Sequence, residues 1–264
     1  MALGAALSGW SRREAVLGLG AAALFGWSAG ASAATGLRLR SLSHAGARWR
    51  VAEVPLGALR LRLLGQGAGA PRPLTLEAAA RWRRALGEAP LLLTNAGMFH
   101  LGGAPVGLHV EQGVERAPLR RGGGEGNFFL LPNGVFSVGP GGARVDDSLG
   151  FSAPSGQLLL ATQSGPLLTL RGVLHPAFSP SSRNVQLRSG VGVNGAGEVV
   201  FVISEGLVRF HDLATLFRDA LGCPDALYLD GAISALSAPD RPEVAGHPAG
   251  YGGVLVVDAP PAAP

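Results

Sequence analysis

One acidic residue follows directly on an apolar run in the segment ALYLDGAISAL, residues 226–236. The run from Ala226 to Leu229 is typical of a buried strand, and Asp230 ends it before a glycine. A carboxylate beside buried apolar residues loses hydration, so it must be paired or serve a function. Asp230 is therefore the leading candidate for a catalytic carboxylate.

Other stretches also place polar residues beside glycine near predicted strand ends, where loops held by a rigid sheet carry functional groups. They are TNAGMF at 94–99, GEGNFF at 124–129, TQSGPLL at 162–168 and RNVQLRSGVGV at 183–193. Each also has a structural interpretation. Asn95 can be a turn former, and Gln163 and Ser164 can belong to a tight turn. Arg188 can face water from a strand, so the residues alone leave both interpretations open.

The sequence gives little support to other kinds of site. The six histidines, at positions 44, 100, 109, 175, 211 and 247, lack zinc-ligand spacing. His100 and His109 are the candidates nearest the stretches above. TQSGP is not a Gly-x-Ser-x-Gly elbow, and GGGEGN lacks the Lys-Ser/Thr ending of a nucleotide loop. No cofactor is expected, with calcium as an alternative: Asp146 and Asp147 could supply ligands or be solvated loop acids.

Composition is that of a globular protein: 47% of the 264 residues are hydrophobic and 15% are charged. The formal net charge is +4, and all 22 basic residues are arginines. No basic cluster with interleaved aromatics is present, which excludes typical nucleic-acid binding. Cys223 is the single cysteine, so an intrachain disulfide is excluded, and its place between a helical pattern and a proline indicates packing.

The elements predicted to position the candidate residues are mostly strands. Apolar residues alternate with arginines from Arg38 to Leu64, as in half-buried antiparallel strands. TLEAAARWRRALG predicts a helix capped by Thr75, and a second helix is predicted within 210–222, preceded by Asp212. PNG at 132–134 and NGAG at 194–197 predict hairpin turns. We expect one α+β domain over 36–258, with a β-rich mixed sheet core and a few flanking helices.

The amino terminus has the pattern of an export signal. SRREAVL at 11–17 precedes an apolar segment and the small residues ASA, as in a twin-arginine signal peptide cleaved near Ala33. A Sec signal or an uncleaved anchor is the alternative. We expect residues 1–33 to be removed after contact with the twin-arginine machinery, no stable membrane span afterwards, and a periplasmic or secreted protein. The tail at 259–264 is expected to be disordered.

Four ordered blocks resemble a known family. EGNFFLLPNGVF, ATQSGPLL, RSGVGV and LFRDALGCPDALYLDGAIS are similar, in this order, to a bacterial exported subgroup of the phosphodiester glycosidase family. The resemblance runs from about Leu91 to Val257. It departs from the family pattern where Asn-Gly-Gly-Tyr-Phe becomes NAGMF at 95–99 and Asp-Gly-Gly-Gly-Ser becomes DGAIS at 230–234. The outer polar residues are kept, and the bulkier Ile233 is expected to reshape the pocket.

The resemblance implies an exported hydrolase that cleaves the glycosidic bond of a sugar-1-phosphate diester. Phosphate leaves more easily than a sugar alcohol, so acid assistance matters less and donors to the phosphate matter more. Asp230 is then the base or nucleophile and Glu125 its partner, while Glu205 is a third acid near a strand end. Arg188 is expected to clamp the phosphate. Hydrogen bonds to the substrate are expected from Asn95, Asn127, Gln163, Ser164 and Ser234. A periplasmic glycan- or phosphosugar-binding protein without turnover is the alternative.

Overall fold

The computed structural model describes residues 36–65, 67, 69–153, 157–238, 241–244 and 246–260. The signal peptide predicted for residues 1–33 lies outside the described residues, as do residues 261–264 of the predicted tail. None of the described helices has the length and apolar character needed to cross a membrane.

Within the described residues, the chain forms three sheets and two short α-helices, which confirms the predicted β-rich architecture. The first sheet has the strand order β1 (Arg38–His44), β2 (Ala47–Val54), β13 (Val199–Ser204), β12 (Ser189–Val193), β14 (Asp225–Asp230), β10 (Leu167–Leu170) and β11 (Val173–Leu174). The second has the order β16 (Arg241–Val244), β15 (Leu236–Ala238), β4 (Pro90–Asn95), β17 (Val254–Asp258) and β3 (Arg60–Leu64). The third has the order β6 (Val114–Ala117), β5 (His109–Glu111), β9 (Leu160–Ser164), β7 (Gly134–Gly139) and β8 (Gly142–Asp147).

The expected mixed sheet is replaced by antiparallel pairing, which holds for every strand pair among the described residues. Parallel neighbours need a long crossover connection, usually a helix, whereas short turns join antiparallel strands directly. A chain with so few helices therefore pairs its strands antiparallel.

Both predicted helices are present. Helix α1 (Leu76–Ala85) begins after Thr75, whose hydroxyl accepts a hydrogen bond from the Ala78 amide at 3.1 Å, as predicted. Helix α2 (Phe210–Thr215) continues into a π-helical turn, Leu216–Ala220. Asp212 does not precede α2 but lies in its first turn, where its carboxylate accepts from the Arg209 amide at 3.1 Å. This bond satisfies a backbone donor that the helix leaves free.

The two predicted turns have different outcomes. Residues 194–197 do join β12 to β13, with Val193 opposite Val199. In contrast, Asn133 is buried, and its amide donates to the Phe128 carbonyl at 2.7 Å while its side-chain oxygen accepts from Ser148. The prediction of a hairpin turn at PNG was thus wrong. The segment is buried, and its asparagine satisfies backbone and side-chain polar groups.

Apolar residues from all three sheets meet in one central core. Phe136 of the third sheet packs edge-on against Phe201 of the first at 6.2 Å between ring centroids, and Leu92 of the second joins them. Helices cover outer faces: α2 packs on the first sheet and α1 on the second. The central core fixes the three sheets relative to one another, and so the positions of their strand ends.

Cys223 gives a first testable prediction. It is buried in the cluster beneath α2, and burial raises the pKa of its thiol to about 12. Because the thiolate is the reactive form, the native protein should resist alkylation by iodoacetamide at pH 8 and react fully in guanidinium chloride. Mass spectrometry of both samples measures this, and rapid labelling of the native chain would contradict the packing role.

Candidate active site

Three strand ends, one from each sheet, meet at one end of the molecule: Asp230 of β14, Asn95 of β4 and Ser164 of β9. The Ser164 hydroxyl donates to the Leu229 carbonyl at 2.9 Å, which ties the third sheet to the first. The Ser189 hydroxyl donates to Asn95 Oδ1 at 3.2 Å, which ties the first sheet to the second. The distant polar stretches therefore converge.

A β-bulge sets the direction of the side chains at the end of β14. Ser189 of β12 lies opposite Asp230, but its neighbour Gly190 lies opposite Tyr228, so Leu229 is an extra residue in the pairing. Such bulges re-aim side chains and are frequent beside active sites. The simple alternation of strand faces is broken at this point, and the Asp230 side chain lines an open cleft.

The cleft has a volume of about 460 Å³. Its polar lining consists of Asp230, Glu125, Asn127 and His100. Two other clefts of comparable size in the described part of the chain, about 350 and 430 Å³, carry at most one carboxylate each. Three of the eight predicted catalytic and substrate-binding residues, including both proposed carboxylates, thus share one cleft, which is the arrangement that acid–base chemistry requires.

Asp230 is electrostatically unusual. Burial raises the pKa of its carboxyl from an ordinary 3.8 to about 6, although the Gly231 amide donates to Oδ1 at 2.6 Å and favours the charged form. The nearby His247 also lowers the pKa of this carboxyl. The result is a group that is ionised at neutral pH and protonated in mild acid, as a general base should be.

Only one of the two candidate histidines lines the cleft. His100 lines the cleft, but His109 is buried within β5, where its Nε2 lies 2.8 Å from Glu111 Oε1. His247, which no sequence pattern indicated, lies near enough to affect the pKa of the Asp230 carboxyl. It lies 17 positions after Asp230 in a loop with no motif, so only the tertiary fold brings the two together.

Five predicted substrate-binding residues are buried beneath the cleft and do not line it: Asn95, Gln163, Ser164, Arg188 and Ser234. Each satisfies other buried groups instead. Ser234 Oγ lies 2.8 Å from the Asp230 carbonyl oxygen, and Asn95 Oδ1 accepts from the Ala235 amide at 3.0 Å. Where strand ends from three sheets meet, backbone groups without ladder partners need side-chain partners, and these polar residues provide them.

Gln163 illustrates this supporting role. Its Oε1 accepts from the amides of Leu108 and Arg120 at 3.1 and 2.9 Å, and its Nε2 donates to the Arg120 carbonyl at 2.6 Å. These bonds fix the start of the loop that carries Glu125 and Asn127 to the cleft. Gln163 is therefore a positioning residue for both.

Arg188 is fully buried, so its guanidinium does not reach the cleft in this structure. It donates to the Val208 carbonyl at 2.9 Å and stacks over the Phe210 ring at 3.6 Å.

The hydroxyl of Tyr228 contacts both Arg188 and Asn127. Burial lowers the pKa of Arg188, and the charge of the Asp212 carboxylate raises it by a smaller amount. That carboxylate accepts a hydrogen bond from Arg209 and makes none with Arg188 among the described contacts. A buried positive charge thus lies behind Tyr228, one contact away from the cleft residue Asn127.

The position of the Tyr228 hydroxyl explains why residue 231 is a glycine. A Cβ atom there would lie 2.5 Å from the Tyr228 hydroxyl oxygen, closer than real Cβ contacts allow. The glycine after Asp230 therefore leaves room for the hydroxyl that joins Arg188 to Asn127.

The three acids outside the cleft that the sequence singled out make other contacts. Asp146 pairs with Arg144 at 2.9 Å, and Asp147 accepts from the Leu149 amide at 3.1 Å. Glu205 bridges Arg48 and Arg50 at 3.0 and 3.1 Å. Among the residues with described positions, no group of three or more histidine, cysteine or acidic side chains could hold a metal ion.

Comparison with known proteins adds to this geometry. The phosphodiester glycosidase family pattern matches residues 91–246, which include all eight predicted site residues. The Escherichia coli K12 protein YigE, described as uncharacterized, is 34% identical over 175 residues, covering 66% of this chain and 68% of YigE. The fold resembles the catalytic domain of zebrafish N-acetylglucosamine-1-phosphodiester alpha-N-acetylglucosaminidase, auto-inhibited by its pro-peptide. The TM-score is 0.58 and the identity 16%, over 84% of this chain and 81% of that one.

Proposed function

Because this chain belongs to the phosphodiester glycosidase family, we propose that it hydrolyses the glycosidic bond of a sugar-1-phosphate diester. The observation that carries the proposal is the Asp230 carboxyl, with its pKa raised to about 6, in a cleft shared with Glu125. A group with this pKa is ionised at neutral pH yet basic enough to accept a proton. We also propose that the protein acts outside the cytoplasm, on the strength of the export pattern in residues 1–33.

In the proposed reaction, the Asp230 carboxylate takes a proton from a water molecule whose oxygen bonds to the anomeric carbon. The bond from that carbon to the phosphate oxygen breaks, and the phosphate monoester leaves with the electron pair. Phosphate needs no proton to leave, so no strong acid is required opposite Asp230. The exposed carboxylate of Glu125 stabilises the positive charge that develops on the sugar ring.

The anionic phosphate is held, in this proposal, by the cleft donors Asn127 and His100. The buried charge of Arg188 supports it from behind, through Tyr228 and across a protein interior of low dielectric. Arg188 would then be a positioning and electrostatic residue, where the sequence suggested a direct clamp.

The pH dependence of turnover tests the role of Asp230. Because the base must be ionised, kcat/KM should be level above pH about 7 and fall tenfold per pH unit below about 6. Release of free sugar from a panel of sugar-1-phosphate diesters, followed by NMR across this range, measures it. Rising activity below pH 6 would instead make Asp230 an acid. Binding of the panel without release at any pH would favour a binding protein.

A further inference from the structure

One wall of the cleft is a hairpin, residues 98–106, that ends in an exposed leucine. Val106 donates its amide to the Met98 carbonyl at 3.0 Å, and His100 donates its amide to the Ala104 carbonyl at 2.8 Å. At the tip, Leu101 is fully exposed. The next residue, Gly102, has a φ of +93°, which lets the chain turn so tightly. The apolar tip thus lies beside His100, which lines the cleft.

The walls of the cleft are apolar although the proposed reaction centre is polar. Met98, Phe99 and Val106 line it from the hairpin. Phe129 and Ile233 line it from two other loops. A phosphosugar has few apolar surfaces, so these side chains exceed what the sugar and phosphate need, and Leu101 lies at the tip of the hairpin that carries three of them.

The charges of the cleft limit the number of phosphates. Among the described residues, its lining carries two carboxylates, Asp230 and Glu125, and one imidazole, but no guanidinium. Arg188 supplies one positive charge from behind the wall, and Arg120 stacks on the Phe129 ring at 5.1 Å without lining the cleft. A diester with one negative charge fits this balance, whereas a nucleoside diphosphate brings a second charge near two carboxylates.

Resting on the proposed function, we propose that the group on the far side of the phosphate is an apolar alcohol. Its chain lies along the hairpin 98–106 and contacts Leu101, while the sugar and phosphate lie at Asp230 and Asn127. The site therefore takes a sugar-1-phosphate ester of a lipid-like alcohol in preference to a nucleotide sugar.

The test compares methyl, butyl and octyl diesters of whichever sugar 1-phosphate is hydrolysed in the panel, together with its uridine diphosphate derivative. Each methylene buried in the cleft should raise kcat/KM about fourfold. We expect at least a tenfold increase from methyl to butyl, and a rate for the uridine diphosphate sugar below that of the methyl diester. Leu101→Ser should lower the octyl-to-methyl ratio at least threefold.

Leu86→Ser is the matched control. Leu86 is also exposed, but it follows α1 just before the start of β4, at the opposite end of that strand from Asn95. It should leave both rates and their ratio unchanged. Equal rates for all chain lengths, or preference for the uridine diphosphate sugar, would overturn this inference alone. Failure to hydrolyse any diester would overturn the proposed function itself.

Discussion

Asp230→Asn should lower turnover of a sugar-1-phosphate diester by about a thousandfold, within the range for loss of a general base. Asparagine keeps the shape of the side chain and an oxygen for the Gly231 amide, which donates to Asp230 Oδ1 at 2.6 Å. What is lost is the ability to accept a proton from water. Steady-state release of sugar at pH 7.5 measures the effect.

The same substitution should stabilise the fold at neutral pH. Burial raises the pKa of Asp230 from 3.8 to about 6, so the folded protein holds its proton more tightly than the unfolded chain. The contribution of this carboxyl to the stability is therefore largest below pH 4 and is lost as the pH rises through 6. Removing the charge should raise the free energy of unfolding by on the order of 1 to 3 kcal/mol at pH 7.5, and by little at pH 4. Denaturant unfolding at both pH values measures the difference.

Asp225→Asn is the control, since Asp225 begins the same strand that Asp230 ends. Its Oδ1 accepts from the Arg171 amide at 2.7 Å, and asparagine retains that acceptor. We expect unchanged turnover. If Asp230→Asn kept its activity, or destabilised the protein equally at pH 4 and pH 7.5, Asp230 would be a structural residue.

The second large effect is expected for Gly97→Ala. A Cβ atom at this position would lie 2.4 Å from the backbone oxygen of Gln163 and 2.7 Å from Thr162 Oγ1. Backbone cannot yield as a flexible side chain can, so the substitution should push the 94–99 segment away from β9. We expect a loss of about 3 kcal/mol in the free energy of unfolding. The melting temperature should fall by roughly 6 to 12 °C.

Activity should fall with stability in Gly97→Ala, because Met98 and Phe99, the next two residues, line the cleft. Gly123→Ala is the matched control: it lies in the loop leading to Glu125, and a Cβ there would meet nothing within 4 Å. That variant should stay within about 0.5 kcal/mol of the wild type. Thermal unfolding and sugar release by both variants test the claim. A Gly97→Ala protein as stable as Gly123→Ala would show that the segment adapts without loss.

Local patterns in the sequence predicted much of the scaffold. The cap at Thr75, the helix after it and the buried strand that ends at Asp230 are each set by residues close in the chain. The burial of Cys223 follows from the apolar residues around it. The α+β composition and the family also follow from the sequence, since they depend on ordered short segments.

The roles of the polar residues could not be predicted in the same way. Arg188, Asn95 and Gln163 have residue types that suit a binding site equally well as a buried hydrogen-bond network. Which role applies depends on whether another sheet covers the side chain, and that is decided by contacts between residues far apart in the chain. For Asn95 the partner is Ser189, 94 positions away.

Short-range patterns were enough to predict that a carboxylate ends a buried strand and that polar segments flank it, because strand and helix periodicity are local properties. In contrast, long-range packing is what brings Asp230 and Glu125 into one cleft and leaves Arg188 behind it. The bulge at Leu229 and the approach of His247 to Asp230 also result from contacts between distant parts of the chain. Strand register and desolvation are set by the packing of three sheets, and no short segment of the chain contains that information.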